Sequence, residues 1–102
     1  MTTAQLTVLL AERILGWRAA PGRFLMRNRR WLPSWRFQPA KRVEDAFRLL
    51  EGPRLEYTLG SEDGGFWATV RVRGVVGEAH DRSQARAITV AVARALGLEV
   101  DQ

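Results

Sequence analysis

The chain has 102 residues, sixteen basic and eleven acidic side chains, one histidine and no cysteine. That length fits a single domain over residues 1–102 with one core, and a chain without cysteine has neither a disulfide framework nor a thiolate metal site. The hydrophobic fraction of 46% suits a globular protein and argues against disorder.

Thr2-Thr3-Ala4-Gln5 has the form of a capping box, a hydroxyl cap answered by a glutamine three residues on. Leu6, Leu9, Leu10, Ile14 and Trp17 then fall on one helical face, and Gly16 is placed to stop the helix. The spacing predicts a first helix from about Thr3 to Leu15. Pro21-Gly22 marks a turn. Arg23 to Met26 and Trp31 to Phe37 read as two short strands around Asn28-Arg29-Arg30, with Pro33 confining the second to an edge.

Val43, Ala46, Phe47 and Leu50 repeat at helical period, predicting a second helix from about Ala40 to Glu51, opened by Gln38-Pro39 and stopped by Gly52-Pro53. The period then switches to two. Leu55, Tyr57 and Leu59 alternate with Arg54, Glu56 and Thr58, and Phe66, Ala68, Val70 and Val72 alternate with Trp67, Thr69, Arg71 and Arg73. Strands at Leu55–Leu59, Phe66–Val72 and Val75–His80 follow, joined at Gly60–Gly65 and Gly74. Asp81-Arg82-Ser83-Gln84 is a second capping pattern, with Asp81 as the cap. It leads into an alanine-rich helix with apolar residues nearly all round, which suits burial on more than one side. Gly97 ends that helix and Leu98 can pack back. The fold class is therefore α+β, an antiparallel sheet of three or more strands layered with three helices. Leu6, Leu10, Ile14, Phe47, Leu50, Tyr57, Val70, Ile88 and Val92 are the expected core.

Several short motifs carry a family resemblance: Ala11-Glu12-Arg13-Ile14-Leu15-Gly16-Trp17, Phe37-Gln38-Pro39 leading to Val43-Glu44-Asp45-Ala46-Phe47, and Gly77-Glu78-Ala79-His80-Asp81 before the last helix. From about Leu9 to Leu96 this succession resembles the phage ABA sandwich domain family. Ala40-Lys41-Arg42 stands where the family pattern has Ser-Thr-Asp, and Arg18 to Trp35 has no clear counterpart. The resemblance implies an α/β/α sandwich and phage or prophage ancestry, and it brings no catalytic residues. The stretch from Arg54 to Leu96 also resembles the C-terminal part of a double-stranded-RNA-binding domain. There Arg82-Ser83-Gln84-Ala85-Arg86 stands at the lysine-rich helix start through which such domains meet phosphates.

Charge is unevenly spread. From Arg13 to Val43 there are nine basic residues and no acid, and the remainder carries seven basic and eleven acidic. Such a field attracts polyanions or acidic protein surfaces. Within it Arg23, Arg27, Arg29, Arg30 and Arg36 are interleaved with Trp31 and Trp35, the combination of cations and stacking surfaces that single-stranded nucleic acid uses. These seven are the candidate binding residues. The structural alternative is that the two tryptophans anchor an irregular segment to the core. Trp67 is core if helices cover both sheet faces and a contact residue if they do not.

No catalytic constellation emerges. His80 stands near Glu78, Asp81 and Ser83 without a nucleophile-elbow motif. Glu44 and Asp45 diverge on a helix, and the glycines from Gly60 to Gly65 join two strands rather than cradle a phosphate. The expectation is a non-enzymatic binding protein without cofactor or metal, whose partner is a protein, with nucleic acid as the alternative. No signal-peptide or membrane-spanning pattern is visible, so a cytoplasmic, non-membrane protein is expected. An exposed edge at the third strand leaves room for a homodimer.

Overall fold

The computed structural model describes residues 2–52 and 55–100. Helix α1 (Thr3–Leu10) begins with the expected capping box: Thr2 Oγ1 accepts from the Gln5 amide at 3.1 Å, and Gln5 Oε1 accepts from the Thr2 amide at 2.8 Å. The helix then widens into a π-helical turn, Ala11–Leu15, closed by Gly16 in the left-handed conformation at φ 71°. Leu6, Leu10, Ala11, Ile14 and Trp17 are all buried.

The region hardest to read in sequence forms a small antiparallel sheet, β1 (Arg18–Ala20), β2 (Arg23–Leu25) and β3 (Trp31–Pro33), followed by a 3₁₀ turn, Ser34–Arg36. The expected hairpin is present but shorter, and the sequence pattern shows no sign of β1. Register aligns Ala19, Phe24 and Leu32 in one cross-strand row, and Phe24 is buried. Its ring meets Trp17 and Phe37 in a three-ring cluster with centroid separations of 4.9–6.0 Å. That cluster is the anchor of the segment, so Trp31 and Trp35 do not serve that purpose.

Helix α2 (Val43–Leu50) starts three residues later than expected, because residues 38–42 form a turn. The buried Asp45 carboxylate at its first turn accepts from the Gln38 amide at 2.9 Å, tying that turn down. Pro53 and Arg54, expected to stop this helix and open the next strand, lie outside the described residues. The main sheet is a meander of β4 (Leu55–Glu62), β5 (Gly65–Val72) and β6 (Val75–Asp81), in order β4-β5-β6. Helix α3 (Gln84–Ala95) follows, capped by Ser83 rather than Asp81. Ser83 Oγ accepts from the Arg86 amide, while Asp81 Oδ1 holds the Ser83 amide at 2.9 Å. Its end is a Schellman turn, with Gly97 at φ 80° and the Leu98 amide donating to the Ala93 carbonyl at 3.0 Å.

The three helices and two three-stranded antiparallel sheets make an α+β fold. Helix α3 is its middle layer, against β5 and β6 on one side and α2 and α1 on the other. Nine of its twelve residues are buried, as the all-round apolar pattern implied. Glycine lets it come this close to the sheet: a Cβ on Gly77 of β6 would collide with the backbone of Ala91 and Ala95.

Two expected core residues are corrected. Tyr57 lies in the same row as the buried Val70 but is 50% exposed, because α3 covers β5 and β6 and not β4. Phe47 is 37% exposed, because the buried side of α2 centres on Ala46, Leu49 and Leu50.

Two substitutions test this packing. Gly77→Ala must push α3 off the sheet and should cost about 1–3 kcal/mol or more, read as a lowered urea midpoint. Thr89, in the buried middle of α3, has no hydrogen-bond partner for its hydroxyl among the described residues. Thr89→Val keeps the shape and removes the orphaned group, so it should raise stability by about 1 kcal/mol in the same assay.

Candidate functional site

The small sheet presents its second face outward. Arg18, Leu25 and Trp31 form one cross-strand row, and Ala20, Arg23 and Pro33 form the next. Arg23 and Trp31 are therefore diagonal neighbours. The Arg23 guanidinium carbon sits 3.9 Å from the Trp31 ring centroid, within cation–π range. Trp31 remains 47% exposed. Trp35 projects from the 3₁₀ turn, 63% exposed, with Arg36 stationed 6.0 Å from its ring. The Trp35 carbonyl accepts from Gln38 Nε2 at 2.9 Å, which fixes the backbone beneath the indole.

A groove of about 400 Å³ runs between α1 and this segment. Val8, Ala19, Phe24 and Phe37 supply apolar lining, and Trp35, Arg23 and Lys41 also border it. Among the described residues no carboxylate lines it.

All seven candidate binding residues are exposed. Arg23, Trp31, Trp35 and Arg36 pair up along the face just described. Arg27 does not join them. Its guanidinium lies against Gly16, where a Cβ would be 3.1 Å from Nε, at the C-terminal end of the first helix. A cation is favoured there by the helix dipole. Arg29, in the left-handed conformation, borders a shallow hollow beside Arg18 and Leu25, and Arg30 follows in the turn held by its amide's bond to Asn28 Oδ1. Sequence reading misses Arg13 and Arg73, which join Arg27 around a second hollow of about 740 Å³. The β5–β6 turn and the end of the first helix border the same hollow, and no local pattern announces it.

On the main sheet the face opposite α3 carries Glu56, Thr58, Trp67, Thr69, Arg71, Glu78 and His80, as the register requires. No helix covers it. Trp67 is half-buried because its indole lies over Gly60 across the strand pair, where a Cβ would clash with the ring. His80 is exposed, with its ring beside Gly65. Asp81 points to the other side, engaged by the Ser83 amide and by Arg86 Nε at 3.5 Å. The strand thus separates Asp81 from His80 rather than bringing the two together. Asp45 is occupied with the Gln38 amide, and Asp63 sits at φ 47° in the β4–β5 turn. Among the described residues no group of three or more His, Asp or Glu side chains could hold a metal ion, and no helix is long and apolar enough to cross a membrane.

No family model matches the sequence. No curated protein matches it either. Among solved structures, the crystal structure of a phage protein from Bacillus cereus ATCC 14579 is similar, with a TM-score of 0.75 at 18% identity, covering 99% of this chain and 93% of that one. The double-stranded-RNA resemblance gains no support from these comparisons. The likeness extends over nearly the whole chain, and what this chain shares with that phage protein is its fold.

Proposed function

We infer that the chain is a small phage-type interaction protein without catalytic activity, working in the cytoplasm, which docks a protein partner on the Arg23–Trp31–Trp35–Arg36 face. The observation that carries this reading is the exposure of two tryptophans, each with an arginine beside it, next to an apolar groove bordered by cations. Tryptophan and arginine dominate binding hot spots. A partner that places an apolar side chain in the groove and acidic groups toward Arg23, Arg36 and Lys41 would match the site in shape and charge. Phage ancestry is supported by the likeness to the Bacillus cereus phage protein and by the sequence resemblance to the phage ABA sandwich domain family.

The second reading, single-stranded nucleic acid, draws on the same tryptophans and on the acid-free run of cations. One observation weakens it at Trp31: Arg23 already occupies one face of that indole, leaving less of it for a base.

Trp35→Ala separates binding from folding. Trp35 is mostly exposed, so its loss should change stability by less than about 0.5 kcal/mol, whereas Trp17→Ala empties the ring cluster and should cost about 3–5 kcal/mol. In capture from host lysate at two salt concentrations, a protein retained by the native chain should bind Trp35→Ala at least tenfold more weakly. Equal retention by both removes the groove from the interface. Steeply salt-dependent binding of single-stranded DNA, lost in Trp31→Ala and Trp35→Ala, would replace this reading with the nucleic-acid one.

A further inference from the structure

The two tight turns of the main sheet have the same backbone and different residues. Glu62 pairs with Gly65 around Asp63-Gly64, and Val72 pairs with Val75 around Arg73-Gly74. Both are two-residue hairpin turns with positive φ at each central position: 47° and 77° in the first, 50° and 83° in the second. This turn type favours Asn, Asp or Gly at its first position, because a longer side chain gains nothing from the left-handed conformation and is strained by it. Asp63 obeys that preference. Arg73 does not, and the same chain shows what the unstrained choice would be.

The residue set on that strained position borders the second hollow. Arg13 arrives from the π-helical turn, Arg27 from the connection after β2, and Arg73 from the β5–β6 turn. Ile14, Val72 and Leu96 give the hollow an apolar back. Among the described residues no acidic side chain lines it, and Arg86 pairs with Asp81 in another part of the fold. Three arginines from three separate segments thus border one hollow, and of these Arg27 also lies against the C-terminal end of the first helix. Guanidinium groups in that number are suited to the oxygens of a phosphate.

We propose that the hollow between Arg13, Arg27 and Arg73 binds a phosphate group, and that the strain at Arg73 is retained because its guanidinium is needed there. Backbone strain concentrates where a side chain has a task to perform. The phosphate belongs either to a small free anion or to a polynucleotide backbone, and the chemistry of recognition is common to both. The site shares none of the aromatic residues of the docking face, so the two stand or fall separately.

Isothermal titration of the native chain with inorganic phosphate, and separately with a short single-stranded oligonucleotide, reads the site directly. Arg73→Asn is the decisive variant, since it installs the preferred turn residue. It should melt at a higher temperature than the native chain without ligand and bind at least tenfold more weakly. Arg13→Gln should weaken binding without the gain in melting temperature, and Trp35→Ala should leave phosphate binding unchanged. Binding of inorganic phosphate alone identifies a free anion as sufficient. Binding of the oligonucleotide only, with a salt dependence made shallower by Arg73→Asn, identifies the backbone. The proposal is overturned if neither ligand binds the native chain, if Arg73→Asn binds as tightly, or if that variant melts no higher.

Discussion

Everything in this domain depends on the close approach of α3 to β6. A helix in a middle layer must bury all its sides, and the distance it can keep from the sheet is set by the smallest side chains at the contact. Here those are Gly77 and Ala79 on the strand and Ala87, Ala91 and Ala95 on the helix. The short separation lets one twelve-residue helix serve as the floor of the sheet and as the surface against which α1 and α2 pack. The cost is a narrow tolerance for side-chain volume along that seam. The benefit is a core in a chain of only 102 residues.

Much of this is legible in the amino-acid sequence. The period-two alternation of β4, β5 and β6, the capping box at Thr2 and the Schellman ending at Gly97 and Leu98 are local signals, and each acts locally. The alanine-rich helix declares its central position because no solvated face can be drawn on it. Legibility fails where the outcome depends on distant partners. Tyr57 alternates correctly and lies in the right row, but burial needs a helix above β4, and strand pattern says nothing about where a later helix lies. Phe47 fits the stripe of α2 and yet falls on its rim. Between Arg18 and Phe37 the strands are three residues long, too short for periodicity to register.

The candidate sites divide along the same line. The arginine and tryptophan interleaving is a composition signal, and the fold leaves those residues exposed in pairs: Arg23 with Trp31, Arg36 with Trp35. Linear proximity misleads for Arg27, which turns toward the end of the first helix and joins Arg13 and Arg73, the latter forty-six positions away in the chain. The open face of the main sheet mixes Glu56, Glu62 and Glu78 with Arg71, whereas the stretch from Arg13 to Val43 carries cations and no acid. A single-sign stretch of that kind steers a charged partner before contact.

The middle position of α3 also governs how the molecule can come apart. Its amides are enclosed on every side, so solvent reaches them only when the layers separate, and separating the layers is unfolding. Hydrogen exchange along α3 therefore reports the free energy of the whole fold. The three short strands carrying Trp31 join the core through the ring cluster, which belongs to the same hydrophobic core as α3, and Phe24 is the one buried side chain they contribute among the described residues. Their amides should therefore exchange faster than those of α3, and the exposed tryptophans lie on that thinner layer.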